Sequence, residues 1–183
     1  MIEVRFHGRG GQGAVIASEI LAKAAVKEGM YASAFPFFGV ERRGAPVMAF
    51  CRIDDRPIRI HAGIYDPDHV VILDQGLIKL VDVLQGHRKE GSVVVNTAKT
   101  LTELGLPLDR RQVLVDATSI ALRRGLGSET APIVNTAILG AFARACTKIS
   151  IDAILESIKE SVPSKPQQNV AAAQDAYSQW EWL

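Results

Sequence analysis

Residues 5–13 read Arg-Phe-His-Gly-Arg-Gly-Gly-Gln-Gly and lie between a predicted strand and a predicted helix. Residues 1–7 alternate in hydrophobicity, as a half-buried strand does, and residues 14–27 carry apolar side chains at helical spacing. The glycines therefore occupy a strand-to-helix turn. Because glycine tolerates a positive φ and has no Cβ, such a turn can be tight and can present bare backbone amides at the partly positive end of a helix.

Four glycines fall within this turn, and three of them have the G-x-G-x-x-G spacing of dinucleotide-binding turns. Such a site also needs an acidic residue at the end of the second strand, about 20 residues on, to bind the ribose hydroxyls. Glu28 has this separation, but it precedes Gly29 and belongs to the end of the helix, and residues 30–35, which predict the second strand, contain no acid. The sequence therefore argues against a nicotinamide site and leaves two interpretations: the turn binds an anion, or it lets the helix pack closely on the strand. The residues of interest at the turn are Gly8, Arg9, Gly10, Gly11, Gln12 and Gly13.

The size and composition of the chain indicate one folded domain, residues 1–183, with a core that needs no disulfide or metal. Hydrophobic residues make up 48% and charged residues 22%, and the formal net charge is +1, which argues against disorder and against a general nucleic-acid-binding role. The N-terminus enters a strand without a signal peptide, and no apolar run reaches membrane-spanning length, so we expect a cytoplasmic protein that does not bind a membrane. A mean hydropathy of +0.11 favours a subunit that buries part of its surface against partners.

The sequence predicts neither catalytic residues nor a metal site. Cys51 and Cys146 are far apart and neither belongs to a C-x-x-C pair, which argues against an iron–sulfur cluster or structural zinc held by this chain alone. The histidines have no partner at i+4 spacing. The sequence also contains no nucleophile elbow, Walker lysine or S-x-x-K motif.

The remaining patterns predict an α/β fold with a mixed, mostly parallel sheet, a Rossmann-like variant with an inserted β-hairpin. Residues 47–53 and 58–61 predict the hairpin, which makes the sheet mixed. Short apolar runs predict buried strands at residues 70–73, 92–95 and 113–115, and helical periodicity predicts helices at residues 76–84, 120–124, 131–145, 151–161 and from 168 to about 180. Asp74 follows a strand at its carboxyl end, where α/β sheets bind ligands, but the sequence favours a role as N-cap of the next helix.

Residues 36–46 form a second unusual stretch, which predicts a protein interface. Phenylalanines concentrate at its start, and prolines and glycines prevent a regular element. Aromatic and arginine side chains are enriched in interfaces, although burial at a strand end would also explain the phenylalanines. We expect the isolated chain to self-associate, as a homodimer, through these residues together with Trp180 and Trp182. The predicted interface residues are Phe37, Phe38, Glu41, Arg42 and Arg43.

Several stretches resemble one known family when they are taken in order. They are residues 8–13, Phe35-Pro36 with Phe38-Gly39, residues 41–47, residues 52–55 with Pro57-Ile58, residues 135–141, and then Asn169, Ala172 and Tyr177. Their order and spacing are similar to those of the gamma subunit of pyruvate and related 2-oxoacid:ferredoxin oxidoreductases. Ala176 stands where members of that family commonly have glycine.

The resemblance implies a non-catalytic subunit of an enzyme that converts a 2-oxoacid and coenzyme A to acyl-coenzyme A, carbon dioxide and reduced ferredoxin. The Glu-Arg-Arg-Gly-Ala-Pro sequence at residues 41–46 favours pyruvate as the 2-oxoacid. In that family thiamine diphosphate, with Mg²⁺, lies between the alpha and beta parts, and 4Fe–4S clusters are held by the beta and delta parts. The implied partners are therefore alpha, beta and delta subunits, with ferredoxin meeting the holoenzyme.

The resemblance also implies a three-layer α/β sandwich on the side from which coenzyme A approaches. The glycine turn is then a candidate for contact with the phosphates of coenzyme A, and Arg9, Arg42 and Arg43 could donate charge-assisted hydrogen bonds to them. Contact with a neighbouring subunit is the other interpretation of the turn. A free-standing nucleotide- or coenzyme A-binding α/β protein is the alternative function.

Overall fold

A central β-sheet and the helices on its two faces form the fold. The computed structural model describes residues 1–37, 44–60, 62–107 and 109–179 and the backbone of Glu181–Trp182. The strands are β1 (Ile2–Arg9), β2 (Tyr31–Phe37), β3 (Pro46–Asp54), β4 (His69–Ile72), β5 (Ser92–Asn96), β6 (Arg111–Val115), β7 (Gly127–Ser128), β8 (Ala131–Pro132) and β9 (Glu181–Trp182). The helices are α1 (Ala14–Lys27), α2 (Leu101–Leu104), α3 (Ala117–Arg123), α4 (Asn135–Ala145), α5 (Ile151–Ser161) and α6 (Pro166–Ser178), with a 3-10 helix at Gln75–Lys79.

The sheet is mixed and mostly parallel, as the sequence predicts. Its strand order is β2-β3-β1-β4-β5-β6-β9, and β7 and β8 form a separate two-stranded hairpin. Strands β1, β4, β5 and β6 are parallel neighbours, whereas β3 runs antiparallel to β1 and β2, and β9 runs antiparallel to β6. The antiparallel insertion therefore lies on one side of β1, and the parallel part of the sheet lies on the other.

Each face of the sheet has its own core, which gives the three predicted layers. One face packs against α1, α3, α4, α5 and α6, and its buried side chains include Phe6 and Phe142. The opposite face packs against the 3-10 helix and α2 through Leu77 and Leu101. The chain therefore leaves β1 towards the first face and β4 towards the opposite face. The carboxyl ends of β1 and β4 consequently flank the topological switch point, where open α/β sheets bind ligands.

Helices α4 and α6 approach each other closely at small residues. A Cβ added to Gly140 would lie 1.9 Å from the carbonyl oxygen of Ala173. One turn earlier in α4, the hydroxyl of Thr136 donates to Oδ1 of Asn169 over 2.8 Å, and both residues are buried. The absence of a side chain at Gly140 therefore sets the separation of the two helices.

Three predicted elements differ from the structure. The antiparallel insertion is formed by β2 and β3 rather than by residues 47–53 and 58–61, because residues 58–60 form no strand and His61 lies outside the described residues. The guanidinium of Arg52 instead binds the carbonyls of Ile60, Ala62 and Gly63 over 3.3, 2.7 and 3.1 Å. The helix predicted at residues 76–84 is a short 3-10 helix. The helix predicted at residues 131–145 begins at Asn135, because Ala131 and Pro132 pair with β7.

Two histidines, the buried His7 and the half-buried His69, make the stability of the fold depend on pH. His7 is 4% exposed, and burial, reinforced by the charge of Arg5, lowers its pKa to about 3. Burial also lowers the pKa of His69 to about 4, against the opposing charge of Asp68. An unfolded histidine has a pKa of about 6.5, so the folded state favours the neutral imidazole. This stabilisation is complete above about pH 6.5 and is lost as the pH falls towards the folded-state pKa values.

We expect the free energy of unfolding to fall by about 2 kcal/mol per histidine between about pH 8 and pH 5. Urea unfolding followed by circular dichroism at the two pH values measures the change. The variant His7→Gln keeps an acceptor for the Arg5 Nε–H, which donates to His7 Nε2 over 3.1 Å. Its stability should fall less on acidification than that of the wild type. Equal losses in the two proteins would show that His7 is not one of the groups responsible.

Candidate functional site

The sequence predicts that Gly10, Gly11 and Gly13 need the absence of a side chain, and the backbone favours glycine at Gly11 and Gly13 but has no positive φ at Gly10. Gly11 and Gly13 have φ values of +96° and +77°, in the left-handed region that favours glycine. Gly13 is also the N-cap of α1, and no side chain caps that end of the helix. A Cβ at Gly13 would lie 2.5 Å from Nδ2 of Asn135, the first residue of α4. The turn therefore combines an unusual backbone with close contact between the starts of two helices.

Backbone and side-chain hydrogen bonds close the turn and tie it to the start of β3. The Arg9 amide donates to Oε1 of Gln12 over 2.8 Å, and the Gln12 amide donates to the Arg9 carbonyl over 2.9 Å. Gly10 exchanges two further bonds with residues just before β3: its amide donates to the Ala45 carbonyl, and its carbonyl accepts from the Gly44 amide. Gly44 and Ala45 are therefore held against the glycine turn.

An ion pair lies at the switch point between β1 and β4. Nε of Arg9, the last residue of β1, is 2.7 Å from Oδ2 of Asp74, which follows β4. The other oxygen of Asp74 accepts from the Gly76 amide over 2.8 Å and caps the 3-10 helix, as the sequence predicts. The Gln12 side chain also approaches Asp74, with Nε2 3.4 Å from Oδ2. The sequence indicates a role for Arg9 and for Asp74 separately but does not predict their contact, which depends on β1 and β4 being neighbours.

A cavity of about 590 Å³ opens beside the glycine turn. Its polar wall is the turn itself, and its apolar wall is formed by Val47 of β3 and by residues at the end of the β7–β8 hairpin. Ile133 is 44% exposed, although it is a large apolar side chain. The sequence does not predict this wall, because its helical periodicity includes residues 131–133, of which Ala131 and Pro132 form β8. The lining residues are Arg9, Gly10, Gly11, Gln12, Gly44, Val47, Thr130, Ala131, Pro132 and Ile133.

The predicted interface stretch is described at residues 36–37 and 44–46. Phe37 ends β2 and is 46% exposed, with its ring 6.0 Å from the ring of the buried Phe50 in an edge-to-face contact. Phe35 is half-buried against the same ring at 5.3 Å. Phe37 therefore has an exposed aromatic surface at the point where the stretch begins. Phe38, Glu41, Arg42, Arg43 and Trp180 lie outside the described residues, and Trp182 is described by its backbone alone.

The two cysteines lie in the core. Burial raises the pKa of both thiols, so Cys51 and Cys146 are neutral at physiological pH. Among the residues that the structure describes, no group of three or more histidine, cysteine, aspartate or glutamate side chains is arranged to hold a metal ion. In the same part of the chain, no helix has the length and apolar character needed to cross a membrane.

Comparison with known proteins gives matches over almost the whole chain. The family model described as pyruvate ferredoxin/flavodoxin oxidoreductase matches residues 3–179. The chain is 55% identical to pyruvate synthase subunit PorC of Methanothermobacter marburgensis over 178 residues, which cover 97% of this chain and 96% of the relative. It is 54% identical to the pyruvate/ketoisovalerate oxidoreductases common subunit gamma of Pyrococcus furiosus, with 99% and 98% covered. Pyruvate oxidoreductase subunit PORC of Thermotoga maritima, a crystal structure, superposes with a TM-score of 0.85 at 34% identity and covers 99% of this chain and 97% of that one.

Proposed function

This chain belongs to the pyruvate ferredoxin/flavodoxin oxidoreductase family, and we propose that it is the gamma subunit of an enzyme that oxidises pyruvate. The reaction consumes a 2-oxoacid and coenzyme A and yields acyl-coenzyme A, carbon dioxide and reduced ferredoxin. The proposal rests mainly on the extent of the match, since this chain covers 96% and 98% of the length of two relatives that are named as subunits. That coverage favours a subunit over a free-standing nucleotide-binding protein.

The proposed partners are alpha, beta and delta subunits, which hold the cofactors. Thiamine diphosphate with Mg²⁺ and the 4Fe–4S clusters belong to those subunits, and the assembled enzyme passes electrons to ferredoxin. The cysteine count supports this division, since the chain has two cysteines and a 4Fe–4S cluster is held by four. The proposed location is the cytoplasm. When isolated, the chain is expected to self-associate through surfaces such as that of Phe37.

The cavity at the glycine turn is the proposed contact site for coenzyme A. Its volume of about 590 Å³ falls within the usual range for ligand pockets. Arg9 supplies a cationic donor, and the turn that lines the cavity leads into the uncapped start of α1, whose partly positive end favours an anion. Contact with a neighbouring subunit is the second candidate role of the turn. It is favoured by the exposure of Phe37 and by the attachment of Gly44 to Gly10.

We expect the purified chain to show no pyruvate-dependent dye reduction and no visible absorbance from iron–sulfur clusters. The reason is that the electron-transfer chemistry lies in the partner subunits. Adding the purified chain to a complex of the alpha, beta and delta subunits alone should restore pyruvate-dependent dye reduction. The matched control is the same three subunits without this chain, which should stay inactive or much less active. Activity or cluster absorbance from the lone chain would contradict the proposed division of roles.

A further inference from the structure

We infer that two copies of this chain pair through their β2 strands, so that their sheets join into one continuous sheet. This inference rests on the self-association proposed for the isolated chain, and it names the surface and the register of that association. The two β2 strands run antiparallel about a twofold axis at Ala34. Tyr31 of each copy then lies opposite Phe37 of the other, and Ser33 lies opposite Phe35.

Strand β2 is the outer strand of the sheet and has an open hydrogen-bonding edge. It pairs with β3 on one side, and no strand among the described residues pairs with it on the other. The pairing with β3 is regular over all seven residues of β2, and none of the seven is fully buried. The amides and carbonyls of such an edge are a template for a strand of another chain.

The sequence of β2 lacks the charged side chains by which outer strands normally avoid pairing. Residues 31–37 read Tyr-Ala-Ser-Ala-Phe-Pro-Phe and contain no charge. Like charges that face each other oppose the pairing of two identical strands, so their absence favours a second copy as the partner. Pro36 removes one N–H near the end of the strand and leaves its centre at Ala34 free to pair.

The aromatic side chains of β2 determine the register. Odd-numbered residues share one face of the strand, since Phe35 and Phe37 both contact the ring of Phe50. On that face Tyr31 is 50% exposed and Phe37 is 46% exposed, at the two ends of the strand. A pair centred on Ala34 brings each Tyr31 opposite a Phe37, and such cross-strand aromatic pairs are favourable. A shift by two residues would leave Tyr31 or Phe37 opposite a glycine.

The same axis brings the α1 helices of the two copies together. Helix α1 packs on β2 and β3, and α5 lies on its inner side, towards α4. Because neighbouring strands are about 4.8 Å apart, α1 lies about 5 Å from the axis and about 10 Å from its copy, which is the usual distance between packed helices. Lys23 and Lys27 bond to α5, so the side of α1 that carries Val15, Ala22 and the exposed Val26 is turned towards the axis.

The test compares two double variants of the full chain that remove the same aromatic surface. Tyr31→Lys with Phe37→Lys sets like charges opposite each other at both ends of the paired strands. Tyr31→Lys with Phe37→Glu sets opposite charges there instead. Sedimentation equilibrium at low salt should show a wild-type dimer and a dissociation constant about tenfold higher for the first variant than for the second. Circular dichroism checks that both variants keep the wild-type fold.

A cysteine at the axis tests the register separately. Cα atoms directly opposite each other in an antiparallel pair are about 4.5–5.5 Å apart, which a disulfide can span. Ala34→Cys should therefore give a covalent dimer when oxidised by air. Ala32→Cys is the matched control, since it faces Pro36 of the other copy and lies about 14 Å from its own counterpart. The natural cysteines, Cys51 and Cys146, are buried and should not cross-link.

The outcomes separate the inference from the proposal on which it rests. If the wild-type chain is a dimer but the two double variants associate equally, or Ala32→Cys cross-links as well as Ala34→Cys, the inference is wrong and the proposed self-association stands. A monomeric wild-type chain would overturn both. If that monomer joins the alpha and beta subunits but the double lysine variant does not, the edge of β2 binds a partner subunit rather than a second copy.

Discussion

Replacing Gly140 with alanine is expected to destabilise the protein by about 3 kcal/mol or more. This change in the free energy of unfolding is opposite in sign to the usual one, since alanine in place of glycine inside a helix normally stabilises a protein by about 0.5–1 kcal/mol. Here the new methyl group would lie 1.9 Å from the carbonyl oxygen of Ala173 and 2.7 Å from its carbon. Those are backbone atoms, which cannot rotate away, so α4 and α6 must separate. The buried bond between Thr136 and Asn169 would lengthen with them.

Urea unfolding measures this loss as a lower midpoint than that of the wild type. Gly105→Ala is the matched control, because Gly105 has a φ of +71° but nothing within 4 Å of its missing Cβ. The free energy of unfolding of this control should fall by only about 1 kcal/mol, because alanine must adopt a positive φ there but meets no other atom. A midpoint for Gly140→Ala that is equal to or above the wild-type value would show that α4 and α6 are not in close contact at this point.

The fold is predictable wherever local patterns determine it. Helix α1 has the bounds that its apolar spacing predicts, because glycines precede it and no helix breaker interrupts it. Strands β4, β5 and β6 are short apolar runs, and each is buried in the sheet. The start of α4 is not predictable in this way. Pro132 suits the first turn of a helix, but pairing of Ala131 and Pro132 with β7 prevents the helix from starting there.

The site is predictable in its residues but not in its contacts. The positive φ values of Gly11 and Gly13 follow from a strand-to-helix turn that is rich in glycine. The pairing of Arg9 with Asp74 follows from the sheet order, which brings together residues 65 positions apart. The apolar wall at Ile133 depends in the same way on where the β7–β8 hairpin packs. Such contacts are fixed by tertiary structure, so a single sequence contains no local signal for them.

Replacing both Arg42 and Arg43 with alanine is expected to weaken assembly with the alpha and beta subunits by about 1,000-fold. The assembled variant should keep most of its turnover, because these residues are proposed to bind a subunit rather than to act in the reaction. Arginine side chains at the centre of an interface commonly contribute about 2 kcal/mol or more each on truncation. The described residues nearest to Arg42 and Arg43 in the chain are the exposed Phe37 and Gly44, whose amide donates to the Gly10 carbonyl.

Titration of the partner subunits with the variant, followed by analytical ultracentrifugation, measures assembly, and the affinity for coenzyme A is measured on the assembled complex. The charge-matched control replaces Arg56 and Arg59 with alanine, since both residues are exposed and lie in the chain before β4. That control should assemble normally. The two roles of the stretch predict opposite results: an interface loses assembly and keeps its affinity for coenzyme A, whereas a phosphate site assembles normally and loses that affinity. Normal assembly with a collapsed affinity would therefore assign Arg42 and Arg43 to the same ligand as Arg9.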